Sequence, residues 1–310
     1  MNWLNAFELI CYIIVVILLI DTIRKKDYNS LFTFGAAALV GFAMELLAVS
    51  VTDIYYYSND FWLSMGKAPH QFPVFGGLMW GGLTVYGIKL AKKFGCGKLL
   101  TGLIAGMFVV TMDILLDVVA IRLNGGFWTW AGSPVTLAIS NQSFMSVIWV
   151  NFLGYMIETP AVVFLTLKVR EKTRETDFKK QTLGMFFVAF GGIVITAAGS
   201  LVSLLLNSIT NDWFACTAFL AVWFVMFAVI ITKTIKSKLK ITKPRRWDIP
   251  MLLFWLALYA YCIAAVISLD IHAAYLWFLV IGIFFAAGTV YFCMARTGSK
   301  ASLNDNVRVR

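Results

Sequence analysis

Residues 99–121, LLTGLIAGMFVVTMDILLDVVAI, decide the class of fold. At about 1.5 Å of helical rise per residue the stretch can cross the roughly 30 Å hydrocarbon core of a bilayer. Nothing in it is charged before Asp113, but Asp113 and Asp117 follow. Two questions arise: whether the rest of the chain also lies in a membrane, and why a membrane helix carries two carboxyl groups.

Composition answers the first. The chain has 310 residues, of which 60% are hydrophobic and 14% charged, with a mean hydropathy of +0.82. A soluble domain averages about 25% charged residues. Apolar runs near the length of a span recur at about 3–23, 31–51, 73–91, 99–121, 143–168, 183–206, 213–233, 249–269 and 273–295. The expected fold is all-α: a polytopic integral membrane helix bundle with about nine transmembrane helices.

The net charge of +10 follows from topology. If the N-terminus lies outside and the C-terminus inside, 24 of the 26 basic residues fall in inner loops or the inner tail, leaving only Lys67 and Arg122 outside. That is the positive-inside asymmetry of a multi-pass protein of the cell inner membrane, and an incorrect span count would scramble it. Basicity distributed in this way argues against a nucleic-acid partner. The first span has no basic residue before it and Arg24, Lys25 and Lys26 after it, so it is expected to be an anchor, not a cleaved signal.

Cys11, Cys96, Cys216, Cys262 and Cys293 have no paired spacing and read as apolar packing residues. His70 and His272 stand far apart in separate loops, and there is no His-rich metal motif. No metal site and no cofactor are expected. Small-residue pairs such as Gly77 with Gly81 and Gly102 with Gly106 permit close helix packing.

The inner loop KVREKTRETDFKK, 168–180, divides the chain. Residues 1–170 form an expected five-helix unit that carries the intramembrane acids, 181–296 a four-helix apolar unit, and 297–310 a cytoplasmic tail. Two outer loops, 52–72 and 122–142, bring Tyr55, Tyr56, Tyr57, Phe61, Trp62, Phe127, Trp128 and Trp130 to one membrane face. Such rings form an interfacial belt or, beside buried acids, the mouth of a pocket.

Counting along the helices places the acids in depth. Glu45 and Asp113 each lie about 21 Å from the inner end of their spans, Asp117 is one turn further out on the same face as Asp113, and Glu8 and Asn151 fall in the same outer half. Glu158 is nearer the inner side, just before Pro160, and could satisfy backbone groups freed by that proline. An ionised acid at such depth costs at least about 2.5–3.5 kcal/mol, so several at one level need a reason. They could bond to one another and to Arg122 as helix glue, relay protons, or form an acid-catalytic site. In a dry site at least one of several clustered carboxyl groups should keep its proton and be able to donate it. An isoprenoid alkene entering from the bilayer could accept it and become a tertiary cation, stabilised by a carboxylate and aromatic faces. Water capture gives an alcohol; capture by an internal alkene or hydroxyl gives a ring.

The residues also resemble a known family. Asp113-x-x-x-Asp117-Val-Val-Ala-x-Arg122, with Gly125, Gly126, Trp128 and Trp130 behind it, is similar to the D-x-x-x-D-P-V-A-x-x-x-G-x-W-x-W pattern of the carotenoid biosynthesis membrane family that includes the bacterioruberin-type carotenoid hydratases. Glu45-Leu46-Leu47 with Tyr55 and Tyr57, Pro73 with Trp80, and Asn151-Phe152-Leu153-Gly154-Tyr155 follow in the family's order, over about residues 35–170. Val118 stands in place of the family's proline and Tyr155 in place of its tryptophan, and the last four spans carry no matching motif.

The resulting expectation is cofactor-independent, acid-catalysed hydration of an isoprenoid or carotenoid end group, the activity of a hydro-lyase. Asp113 and Asp117 would act as proton donor and cation stabiliser, Glu45 as a second acid or water-positioning base, and Asn151 as a hydrogen-bonding group. Arg122 would hold one carboxylate ionised, and Trp128, Trp130, Tyr57 and Trp80 would contact the substrate. The expected partners are a lipid-soluble small molecule and membrane lipids. Terpenoid or spiroketal cyclisation by the same acid chemistry is the alternative within enzymes, and a proton-coupled transporter or lipid-binding membrane protein the alternative outside them.

Overall fold

A computed structural model describes residues 2–51, 55–130 and 134–297. The expected tail falls, from residue 298 onward, outside the described residues. Among those residues nine helices are long and apolar enough to cross a membrane. They are α1 (Trp3–Arg24), α2 (Tyr28–Val51), α3 (Val74–Ala91), α4 (Lys98–Ala120), α5 (Trp149–Lys172), α6 (Phe178–Ile209), α7 (Trp213–Lys236), α8 (Ile249–Ser268) and, after the single turn α9 (Ile271–Ala274), α10 (Leu276–Met294).

Local chemistry sets several helix starts. The Asn2 side chain accepts from Asn5 N at 2.8 Å ahead of α1, and Asp177 caps α6 by accepting from Lys180 N at 3.1 Å. The fifth helix begins at Trp149 rather than near 143, because residues 143–148 fold back as a hairpin of β5 (Ser143–Phe144) and β6 (Val147–Ile148). Its turn residues Met145 and Ser146 both take positive φ.

α4 lies at the centre, buried along nearly its whole length, with α3, α5, α7, α8 and α10 packed around it. Two of its glycines admit α5 at close range: a Cβ on Gly102 would stand 2.8 Å from the Pro160 carbonyl oxygen, and one on Gly106 would stand 3.1 Å from the proline ring. Gly41 on α2 serves a side chain instead, since a Cβ there would sit 2.3 Å from the indole of Trp80 on α3. One hydrophobic core runs from Leu4 to Ala295, so the stretches 1–170 and 181–296 share their packing. By contrast α6, α7 and α10 expose large apolar side chains such as Phe190, Leu201, Phe224 and Phe284. Contiguous apolar faces of this kind suit lipid and not water.

The two ends of the bundle differ. At the end rich in lysine and arginine, Lys89 lies 3.6 Å from Asp27 and 3.8 Å from Asp248, and Lys98 pairs with Glu171. At the aromatic end the loops form a cap. There β1 (Tyr55–Tyr57) pairs antiparallel with β4 (Trp128–Trp130), and β2 (Ser64–Met65) pairs with β3 (Phe72–Pro73). A fourth pair, β7 (Leu239–Ile241) with β8 (Ala295–Thr297), lies at the basic end.

Candidate functional site

The site is assembled by α2, α4 and α5 beneath the β1–β4 pair. After α4 the chain turns sharply through Asn124, Gly125 and Gly126, all at positive φ, which glycine adopts without strain. The turn sends β4 back over the end of α4, in register with the tyrosines of β1: Tyr55 opposite Trp130 and Tyr57 opposite Trp128. Tyr55 stacks on Trp130 at 4.6 Å between ring centroids, and Tyr57 meets Trp128 edge-on at 5.8 Å. Trp80 stacks on Tyr155 at 4.9 Å. Tyr55, Tyr57, Trp128 and Trp130 therefore form one wall, joined by strand pairing that the sequence reading did not anticipate, whereas Trp62 is exposed.

Under this wall lie the acids. Asp113 and Asp117 are both buried and within hydrogen-bonding reach of each other. Asp117 Oδ2 accepts from Asn151 Nδ2 at 2.5 Å, and the Trp128 side chain also reaches Asp117. Asp113 has Tyr155 as a neighbour, while its Oδ2 has no hydrogen-bond partner on the chain. Glu45 accepts from the Tyr57 hydroxyl at 2.9 Å, which in turn accepts from the Tyr55 hydroxyl at 2.8 Å, and the Trp80 side chain also reaches Glu45. Burial, and then the adjacent Glu45 carboxyl, hold the Tyr57 hydroxyl well above its ordinary range, so it stays a donor.

Two cavities meet here. The inner one, about 60 Å³, is walled by aromatic and aliphatic side chains and is lined by Asp113 and Glu45. The second, about 200 Å³, lies between α2, α5 and α6 and is lined by Asn151, Glu158, Thr196 and Ser200 among others. Glu45, Tyr55, Trp80 and Tyr155 line both and form the partition between them.

Of the residues expected from the sequence, Asp113, Asp117, Glu45, Asn151, Tyr57, Trp80, Trp128 and Trp130 come together in this way. Two readings, those of Arg122 and Glu158, are corrected. Arg122 is not paired with a carboxylate: its guanidinium donates to the carbonyl oxygens of Val118 at 2.5 Å, Met145 at 2.9 Å and Thr136. Burial lowers it only to about 10, so it remains charged while tying the loop that follows α4 to the end of that helix. Glu8 stands outside the cluster and accepts from the backbone of Trp62 at 2.8 Å and Leu63 at 3.1 Å. Glu158, which the sequence reading set aside as a partner for the Pro160 break, lines the second cavity, and its Oε1 bonds to nothing on the chain.

Glu158 and Tyr155 are the site residues the sequence reading missed. Their spacing was the available signal, because Asn151, Tyr155 and Glu158 stand at i, i+4 and i+7 on one face of α5. Among the described residues no three His, Cys, Asp or Glu side chains converge closely enough to hold a metal ion. Comparison of the chain with family models, with curated proteins and with solved structures finds no match.

Proposed function

We propose that this protein hydrates the terminal alkene of an isoprenoid or carotenoid by acid catalysis without a cofactor. The observation that carries the reading is the meeting of Asp113 and Glu45, from different helices, on one cavity walled by aromatic rings. At about 60 Å³ that cavity is far smaller than the roughly 300–1,000 Å³ of sites that enclose a drug-sized ligand, so it suits a chain end rather than a whole polyene.

Roles follow from the contacts. Two carboxyl groups in contact do not both ionise. Asp117, supplied with donors by Asn151 and Trp128, is the one equipped to carry charge. Asp113, with an oxygen that no donor meets, is the one suited to hold the proton. In the proposed reaction Asp113 protonates the alkene carbon and a tertiary cation forms, stabilised by Asp117 and by the faces of the surrounding rings. Water adds to the cation, forming the carbon–oxygen bond, and its surplus proton returns to the aspartate pair. Alkene and water thereby become a tertiary alcohol with no net oxidation.

The resemblance to the carotenoid hydratase family supports the same chemistry through Asp113, Asp117, Glu45 and Asn151. Placement in the cell inner membrane, with the N-terminus outside, belongs to the same proposal and rests on the charge asymmetry of the loops. Production in a host that makes acyclic carotenoids, followed by mass spectrometry of its lipids, tests the reaction. A product heavier by one water supports hydration. An isomer of unchanged mass points to cyclisation instead, and unaltered lipids beside intact, membrane-inserted protein contradict the proposal for this substrate class.

A further inference from the structure

The second cavity has a chemistry of its own. It lies on the far side of the Glu45–Tyr55–Trp80–Tyr155 partition from the ring-walled cavity, and its mainly apolar wall carries polar side chains of its own, Asn151, Glu158, Thr196 and Ser200. Glu158 is 6% exposed and Thr196 2%, yet Glu158 Oε1, Thr196 Oγ1 and the Trp130 indole nitrogen all lack a hydrogen-bond partner on the chain. Buried polar groups are ordinarily satisfied, and three unsatisfied ones around a single chamber call for a ligand. The three together present an acceptor, a hydroxyl and a donor, so the ligand must both donate and accept within a small space. Water does this, and about 200 Å³ gives room for roughly six molecules at about 30 Å³ each. An isoprenoid tail does not satisfy any of the three.

The fold explains why the chamber exists at this height. Lower on α6, Gly192 closes the helix onto both neighbours, where a Cβ would stand 2.8 Å from Val40 of α2 and 3.1 Å from Val162 of α5. Nearer its other end α6 presents Thr196, Ser200 and Leu204 to the opening. Asn151 and Tyr155 connect the chamber to the acids, since Asn151 donates to Asp117 and Tyr155 neighbours Asp113.

We propose that the chamber between α2, α5 and α6 stores the water that captures the cation, with Glu158 and Thr196 as positioning residues and Asn151 and Tyr155 as the passage to the aspartates. This inference rests on the hydration reading for the fate of the water, but not for its presence. Alkene and water then reach the carboxyl groups from opposite sides of the partition. The cation forms among rings that exclude solvent, and one water at a time meets it.

Radiolytic hydroxyl-radical footprinting in heavy-oxygen water tests the chamber without any substrate, using the full-length protein in lipid vesicles. Label is expected on Tyr155 and Met44, both of which line the chamber. It should fall about tenfold in Thr196→Phe, which fills the space, and also in Ser200→Leu should the first variant fold poorly. Unlabelled Tyr155 and Met44 beside a labelled, exposed Trp62 overturn the water store. Product partition tests the capture. In Glu158→Leu the alcohol fraction is expected to fall about tenfold while double-bond isomers of unchanged mass rise, because the cation still forms but loses a proton instead. Equal loss of alcohol and isomers overturns the positioning role. Label on the chamber with no alcohol from the wild type overturns the hydration reading and leaves the water site standing, so the two failures are distinguishable.

Discussion

Tyr57 shows how a single side chain links the cap to the chemistry. Its backbone belongs to β1, its ring meets Trp128, and its hydroxyl donates to Glu45 at 2.9 Å. Tyr57→Phe keeps the ring and removes the bond, leaving Glu45 with the Trp80 side chain alone. Turnover of the end group is expected to slow about tenfold, the effect of one buried hydrogen bond, with the thermal midpoint little changed. An unaltered rate in membranes normalised for protein content contradicts the assigned contact. Depth counting on two separate spans made Glu45 and Asp113 legible in the sequence, and the structure brings both onto the inner cavity. Glu158 escaped because Pro160, two residues on, offered a sufficient local explanation for a polar group. Only the position of α6 shows that the side chain has a chamber in front of it.

Among the elements, the segment from Arg122 to β6 is the one that sequence reasoning misjudged. A half-buried arginine near two aspartates suggests a charge pair, since opposite charges attract most strongly where water is scarce. The chain instead directs the guanidinium to three backbone carbonyls, that of Val118 in the last turn of α4 and those of Thr136 and Met145 beyond it. Arg122→Ala should therefore act on stability, at about 2 kcal/mol or more, seen as a lower unfolding midpoint in detergent. Arg122→Lys should recover only part of it, because an ammonium cannot match the planar fork. Lost turnover at unchanged stability would return Arg122 to the role of carboxylate partner. The short strands were hidden for a related reason. Two- and three-residue strands carry no periodicity long enough to read, and β1 and β4 are brought together only by the arrangement of α2 and α4.

At the scale of the whole molecule the helices were the most legible feature, because the length and hydropathy of a span are set by the bilayer and not by tertiary contacts. Which helices would surround α4, and which would turn apolar faces outward, depended on packing that hydropathy does not encode. The proposed direction of the chain through the membrane, N-terminus outside, rests on the lysines and arginines of alternate loops. A fluorescent protein that matures only in the cytoplasm, fused after the last residue, should fluoresce; a dark fusion alongside intact protein contradicts the N-outside orientation. What the carboxyl groups of α2 and α4 do to an alkene is decided by mass spectrometry of lipids from a host making acyclic carotenoids, comparing wild-type protein with Asp117→Asn at equal abundance in the membrane. A product heavier by one water is expected from the wild type and none above background from the variant. The same product from both, or from neither, overturns acid-catalysed hydration at this site.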